Sequence, residues 1–210
     1  MQLCWISAES LVEQDIYDKM KQTAASLQQG GDPLWYPMRV TYSQELKVKA
    51  ALEKQGIEHF LPMKYELVDT DGSLHRTLVP AIHNLIFVRS TQEHITRLKM
   101  FQKDFAPLRY ITCRTSSSLH KSEILTVSDR QMQNFIRVAS VTDDSVMFLN
   151  WESVADKVSR RVEVVEGPFA GVEGVIMRIR RNKHVVVQLQ GLAAVAITFV
   201  PPAFLKLLDK

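Results

Sequence analysis

The chain has 210 residues, of which 46% are hydrophobic and 23% charged, and a formal net charge of +3. This is an ordinary globular mix for one or two domains; it argues against a polyanion-coating protein and leaves room for a local basic patch. Cys4 and Cys113 lie far apart with no C-x-x-C, which argues against a disulfide framework or a cysteine-rich zinc site and fits a reducing cytoplasm. No apolar run approaches the ~18 residues of a membrane span, and the first residues lack the basic region of a signal peptide.

Residues 1–33 read as a helical extension. Ser10 and Glu13 have capping-box spacing, Val12, Ile16, Met20, Ala24 and Leu27 share one helical face, and Gly30-Gly31-Asp32-Pro33 ends the run. Leu34–Tyr42 predicts a strand. Ser43 is placed to cap a helix over Gln44–Gln55, with Val48, Ala51 and Leu52 on its apolar side and Gly56 closing it. Ile57–Leu67 predicts a strand broken by Pro62, and Asp71-Gly72 marks a hairpin whose return ends in Leu85-Ile86-Phe87-Val88-Arg89. Ser90 and Glu93 form a second capping-box pattern before a helix carrying Ile95 and Leu98. After a looser segment, 105–126, Ser128 and Gln131 open a third helix on which Met132, Phe135, Ile136 and Ala139 fall on one face. Strands, hairpin and single helices in this order predict an α+β fold with helices on one face of a sheet.

The link, 141–157, is unusually apolar for a solvated tether, with Val146, Met147, Phe148, Leu149 and Trp151. Short β-rich runs follow at Val162–Val165, Val175–Ile179, Val185–Leu189 and Val195–Val200. They predict a small curved sheet or barrel with inward sets Val175/Met177/Ile179, Val185/Val187/Leu189 and Val195/Ile197/Phe199. Between the first two runs, Gly167-Pro168-Phe169-Ala170-Gly171 is a stiff turn that leaves Phe169 at a loop tip. Arg178, Arg180, Arg181 and Lys183 form a basic hairpin tip.

Residues 164–175, VVEGPFAGVEGV, resemble the KOW motif in its NusG version, V-x-x-G-P-F-A-G-x-x-G-V. Upstream, Trp35-Tyr36 with Lys47-Val48 resembles the opening of the NusG amino-terminal domain. Val79-Pro80 and then Asn84–Arg89 resemble its P-G-Y-V-F-V-R strand, with Asn84 for Gly, Leu85 for Tyr and His83 for Pro. The chain thus resembles the NusG/RfaH superfamily. Residues 127–137 and Leu192–Ala196 resemble its UpxY subgroup, antiterminators encoded within surface-polysaccharide operons. The usual Gly-Asp before the first KOW strand is missing.

The resemblance implies a ferredoxin-like α/β sandwich over 34–140 and an SH3-like β-barrel KOW domain over 158–210, joined by 141–157 and preceded by the extension 1–33. It implies a cytoplasmic regulator that binds RNA polymerase and prevents pausing or termination within one operon. The clamp helices of polymerase would meet Leu85 and Phe87. The exposed DNA strand of the transcription bubble would meet Arg39, Lys47, Lys49, His75 and Arg76. The loop of Gly167, Pro168, Phe169 and Gly171 would engage a small-subunit ribosomal protein or Rho. No cofactor, metal or catalytic residue is implied. The alternative is a KOW-type ribosome- or RNA-binding protein that never acts on polymerase. An enzyme is not expected: the six histidines show no metal-binding spacing, and nucleophile-elbow, P-loop and dinucleotide motifs are missing. Asp143-Asp144 is an acidic pair whose neighbours in an extended chain point opposite ways, so a metal role is not expected of it.

Overall fold

The computed structural model describes residues 31–70, 72–114, 122–150, 160–179, 182–189 and 191–208. The expected helix within 1–33, the 115–121 tract, Asp71, residues 151–157 of the link, and Arg180 and Arg181 of the basic tip lie outside the described residues.

The first sheet is antiparallel and is built from β1 (Leu34–Val40), β2 (His59–Phe60), β5 (Leu85–Ser90) and β6 (Leu108–Tyr110), in the order β2–β5–β1–β6. Register sets Trp35 opposite Arg89, Pro37 opposite Phe87 and Arg39 opposite Leu85. Because side chains alternate along a strand, Trp35, Pro37, Arg39, Leu85 and Phe87 share one face. Tyr36, Met38, Val40, Ile86 and Val88 share the other. That second face is covered by α1 (Glu45–Lys54) and α2 (Gln92–Phe101), through Val48, Leu52, Ile95 and Leu98.

The expectation of helices on one face only is corrected here. Helix α3 (Asp129–Ala139) packs on the opposite face, against β1. Its Phe135 ring lies 5.6 Å from that of Phe87 and 6.2 Å from that of Phe60. The cause is the apolar stripe of α3 itself: Met132, Phe135, Val138 and Ala139 are buried, and the face made by Trp35, Leu85 and Phe87 is apolar enough to receive them.

The caps differ in part from the sequence reading. Ser128 and Gln131 form the expected capping box. Ser43, in contrast, has φ 49° and caps nothing: α1 starts from Gln44 without a side-chain cap. The cap of α2 is Thr91, one residue later than expected, while Ser90 Oγ bonds His94 Nδ1 at 2.8 Å. The return of the hairpin is split as well. β3 (Met63–Thr70) and β4 (Ser73–Pro80) form a separate two-stranded sheet, and β5 follows a turn at Asn84, whose φ is 59°.

Two short strands, β7 (Thr112–Arg114) and β8 (Ser122–Ile124), pair within the looser segment. The carboxyl-terminal half contains the expected runs as β10 (Arg160–Val164), β11 (Glu173–Ile179), β12 (Asn182–Leu189) and β13 (Ala193–Ile197). Two strands were not foreseen: β14 (Leu205–Leu207) on β10, and β9 (Val146–Leu149), drawn from the link, on β13. Together they make a six-stranded antiparallel sheet in the order β14–β10–β11–β12–β13–β9.

Gly174 shows why a residue without a side chain is needed in β11: a Cβ there would sit 2.8 Å from the carbonyl oxygen of Val186. The expected inward sets are partly corrected. Register sets Val175 opposite Val186 and Ile176 opposite Val185, so the Met177 set and the Val185 set lie on opposite faces, and Phe199 is exposed. Among the described residues no helix is long and apolar enough to cross a membrane.

Candidate functional site

Helix α3 is where the two halves meet. It contacts β1 of the first sheet and β12, β13 and β9 of the second. One apolar cluster runs from Trp35, Leu85 and Phe87 through Met132 and Phe135 to Val185, Val187, Val195 and Ile197. Polar contacts flank it. Arg130 donates to Glu173 across the seam, and Glu173 Oε2 lies 3.8 Å from Arg161 of its own half. Arg137 reaches over the 167–171 turn, since a Cβ on Gly171 would lie 3.3 Å from its Nη1. On the other side, Arg89 at the end of β5 donates from Nε and Nη2 to the two carboxylate oxygens of Asp129 and from Nη1 to Glu58. These carboxylates raise the Arg89 pKa further, so a permanent cation pins the first turn of α3 to the sheet, where Asp129 also suits the helix dipole.

The structure places the expected polymerase-binding residues inside this cluster. Leu85 is 5% exposed and Phe87 fully buried. An uncovered outer face is therefore corrected: α3 covers it, and Phe135 seals Phe87 from within the same half. Leu85, at the start of β5, is nearer the rim, with the half-buried Phe60, Ile82 and Ile111 packed against the same cluster. Ile82 escaped the sequence reading because it follows the hairpin outside any periodic run.

Phe169 is corrected too. It is 8% exposed rather than standing free at a loop tip. The turn curls back: Gly171 N–H donates to Val164 O, Val172 N–H to Phe169 O, and Val164 N–H to Val172 O. Gly167 and Gly171 adopt φ near +87° and +85°, which lets the loop fold the ring into the apolar cluster that also holds Val162, Val164 and Val172. Pro168 lies beside it, exposed.

The five expected nucleic-acid residues are spread over three elements. Arg39 is exposed on the α3-side face of β1. Lys47 is exposed on α1, and Lys49 on the same helix is paired with Glu53. His75 and Arg76 point to opposite faces of the β3–β4 hairpin, and the Arg76 guanidinium stacks 4.3 Å over the Tyr65 ring. The Tyr65 face also exposes Leu67, Leu74 and Leu78.

One residue missed by the sequence reading holds the Asn84 turn. The buried Glu45 of α1 accepts the Asn84 N–H at 2.7 Å, and the Asn84 carbonyl accepts from Val40 N–H. A glutamate opening a helix carries no sign that it is buried, so only the tertiary fold reveals it.

No group of three or more His, Cys, Asp or Glu able to hold a metal occurs among the described residues. What the arrangement offers is two apolar sheet faces meeting on one helix, and a projecting hairpin with an aromatic-cation platform.

The family model described as transcription termination factor NusG matches residues 33–136, about half of the chain. A solved structure described as "Domain interaction in Thermotoga maritima NusG" is similar at 16% identity, covering 85% of this chain and 98% of that one, with a TM-score of 0.41. No curated protein matches the chain. NusG proteins are transcription elongation and antitermination factors rather than enzymes. With the matched segment spanning the first sheet and the first two turns of α3, this chain belongs to the NusG family of transcription factors.

Proposed function

We propose that this protein is an elongation regulator that binds RNA polymerase through the rim of the first sheet and suppresses pausing or termination, in the manner of operon-specific antiterminators of the UpxY type. In this reading 34–140 is the polymerase-binding domain. The second half is a KOW domain that takes β9 from the link. Leu85, with Ile82 and Phe60 beside it, meets the clamp helices, and Phe87 supports that surface from beneath. Arg39, Lys47, Lys49, His75 and Arg76 contact the exposed DNA strand of the bubble through phosphates and stacked bases. The loop of Gly167, Pro168, Phe169 and Gly171 engages a second partner, a small-subunit ribosomal protein or Rho. The protein works in the cytoplasm without a cofactor.

The observation that carries this reading is the single apolar cluster through α3. It joins the Leu85 face to the second sheet, so the free chain is a closed form in which each half covers apolar surface of the other. Polymerase would favour the open form only through its higher affinity for it.

The test is affinity capture with the full chain, followed by transcription through a terminator. Polymerase core subunits should be retained and read-through should rise. Ile82→Glu, at the half-buried rim, should weaken both while leaving the fold intact. Retention of ribosomal RNA alone would instead support the ribosome- or RNA-binding alternative.

A further inference from the structure

Part of the otherwise exposed Tyr65 face of the β3–β4 hairpin borders a cleft. The cleft, of about 580 Å³, separates it from the segment between α3 and β9. One wall carries Lys64, Tyr65, Glu66 and Arg76, and the other carries Asp143, Asp144 and Phe148. Lys64 is already partnered by Glu66 at 3.4 Å. Arg76 stacks on Tyr65 and has no carboxylate within ion-pair distance among the described residues. The hairpin thus presents one cation uncompensated at short range, and the two carboxylates lie opposite it.

The Asp143 carboxylate and the backbone of Asp144 are held in place. Asp143 accepts from Ser145 N–H at 2.8 Å and from Ser145 Oγ, contacts that keep its carboxyl below its ordinary pKa and hence charged. Thr198 of the second half ties the segment down, its N–H donating to Ser145 O at 2.8 Å and its Oγ1 to Asp144 O at 3.2 Å. The acidic pair is therefore fixed to the second sheet, while Arg76 belongs to the first half.

We propose that Asp143 and Asp144 are specificity-determining residues that stand in for nucleic-acid phosphates, lowering the affinity of the closed chain for single-stranded nucleic acid at the Arg76–Tyr65 platform. This rests on the nucleic-acid reading of Arg76 given above. Arg76 and both aspartates line one cleft, so a nucleic acid that enters it to reach the cation also meets the carboxylates, with a repulsion that salt screens. Phosphate neutralisation dominates non-specific nucleic-acid affinity, and two anions on the wall facing the cation work against it. Movement of the second half would carry them away, making nucleic-acid contact conditional on opening.

The experiment is binding of fluorescent oligo-dT to the full chain, followed by anisotropy at low and high salt. Four proteins are compared: native, Asp143→Asn with Asp144→Asn, Arg76→Ala, and all three together. Asparagine keeps the acceptor for Ser145, and unchanged thermal melting verifies the fold. The double asparagine variant should bind about fivefold tighter at low salt, with the gain shrinking as salt rises. The gain should vanish in the Arg76→Ala background. An affinity equal to native, or the same gain with and without Arg76, overturns the inference. If Arg76→Ala weakens binding but the asparagines change nothing, the platform stands and the acidic competitor does not. If no protein binds oligo-dT at either salt, both fall.

Discussion

Arg130→Glu turns the contact across the α3 seam from attraction to repulsion without entering either apolar core. The Arg130 side chain is 76% exposed and that of Glu173 21%. Such a pair contributes about 0.2–1 kcal/mol, and two carboxylates in its place repel by a similar amount. Reversal therefore shifts the balance by about 1 kcal/mol, or about fivefold in the ratio of open to closed chains. Position 130 lies in the first turn of α3, where an added carboxylate suits the helix dipole, so the helix itself is not weakened. Energy transfer between dyes at Lys47→Cys and Lys206→Cys, after removal of Cys4 and Cys113, reads the separation of the halves. Transfer should fall at low salt and recover as salt screens the pair. In a Glu173→Gln background Arg130→Glu should do much less, since the coupling belongs to the pair. Unchanged transfer in Arg130→Glu, or an equal loss in the Glu173→Gln background, would refute the reasoning.

Phe135→Ala removes a fully buried ring that contacts Phe87 and Phe60. It should cost about 3–5 kcal/mol in denaturant unfolding. Acidification should lower stability through His94, whose pKa is pushed below its ordinary value, first by burial and then by Arg97. The unfolded chain then binds more protons, so stability falls as pH drops through about 6.5 towards the folded pKa. His94→Gln should flatten that part of a melting-temperature profile. Met147→Cys with Ala196→Cys, directly opposed across β9 and β13, should form a disulfide that caps the dye separation reached in Arg130→Glu, and reduction should lift the cap.

Local chemistry was legible in the sequence wherever it acts alone. The capping box at Ser128, the positive φ at Gly56 and Asn84, and the break at Pro62 each follow from the residue itself. The mixed character of the fold, sheets with single helices, followed from the order of these elements, but helices on one face only did not hold. What was not legible is what covers what. Alternation placed Leu85 and Phe87 on one face of a strand, but not α3 on top of them. The stiff turn at Gly167–Gly171 was evident, but its positive φ values fold Phe169 inward as readily as outward, and only the apolar neighbours decide. The burial of Glu45 and the recruitment of β9 depend on partners far away in sequence: Asn84 is 39 residues on from Glu45, and β13 lies well beyond β9.

The recruitment of β9 bears directly on how such a chain would open. Helix α3 ends at Ala139 and β9 begins at Val146, so residues 140–145 are all that joins the halves while β9 stays paired. Six residues reach at most about 20 Å, and Val141, Ser145 and Thr198 bond that stretch into a compact turn. Tethered this closely, the second half re-docks from an effective concentration of about millimolar or more. Under the proposed function, a partner that needs the halves apart would have to outcompete this re-docking, or first strip β9 from β13 to lengthen the tether. The apolar character of the link is thereby explained: Val146 and Phe148 join the cluster through α3, while Met147 and Leu149 pack against the opposite face of the second sheet. The same four residues that make the link a poor solvated tether make it a strand that holds the closed form together.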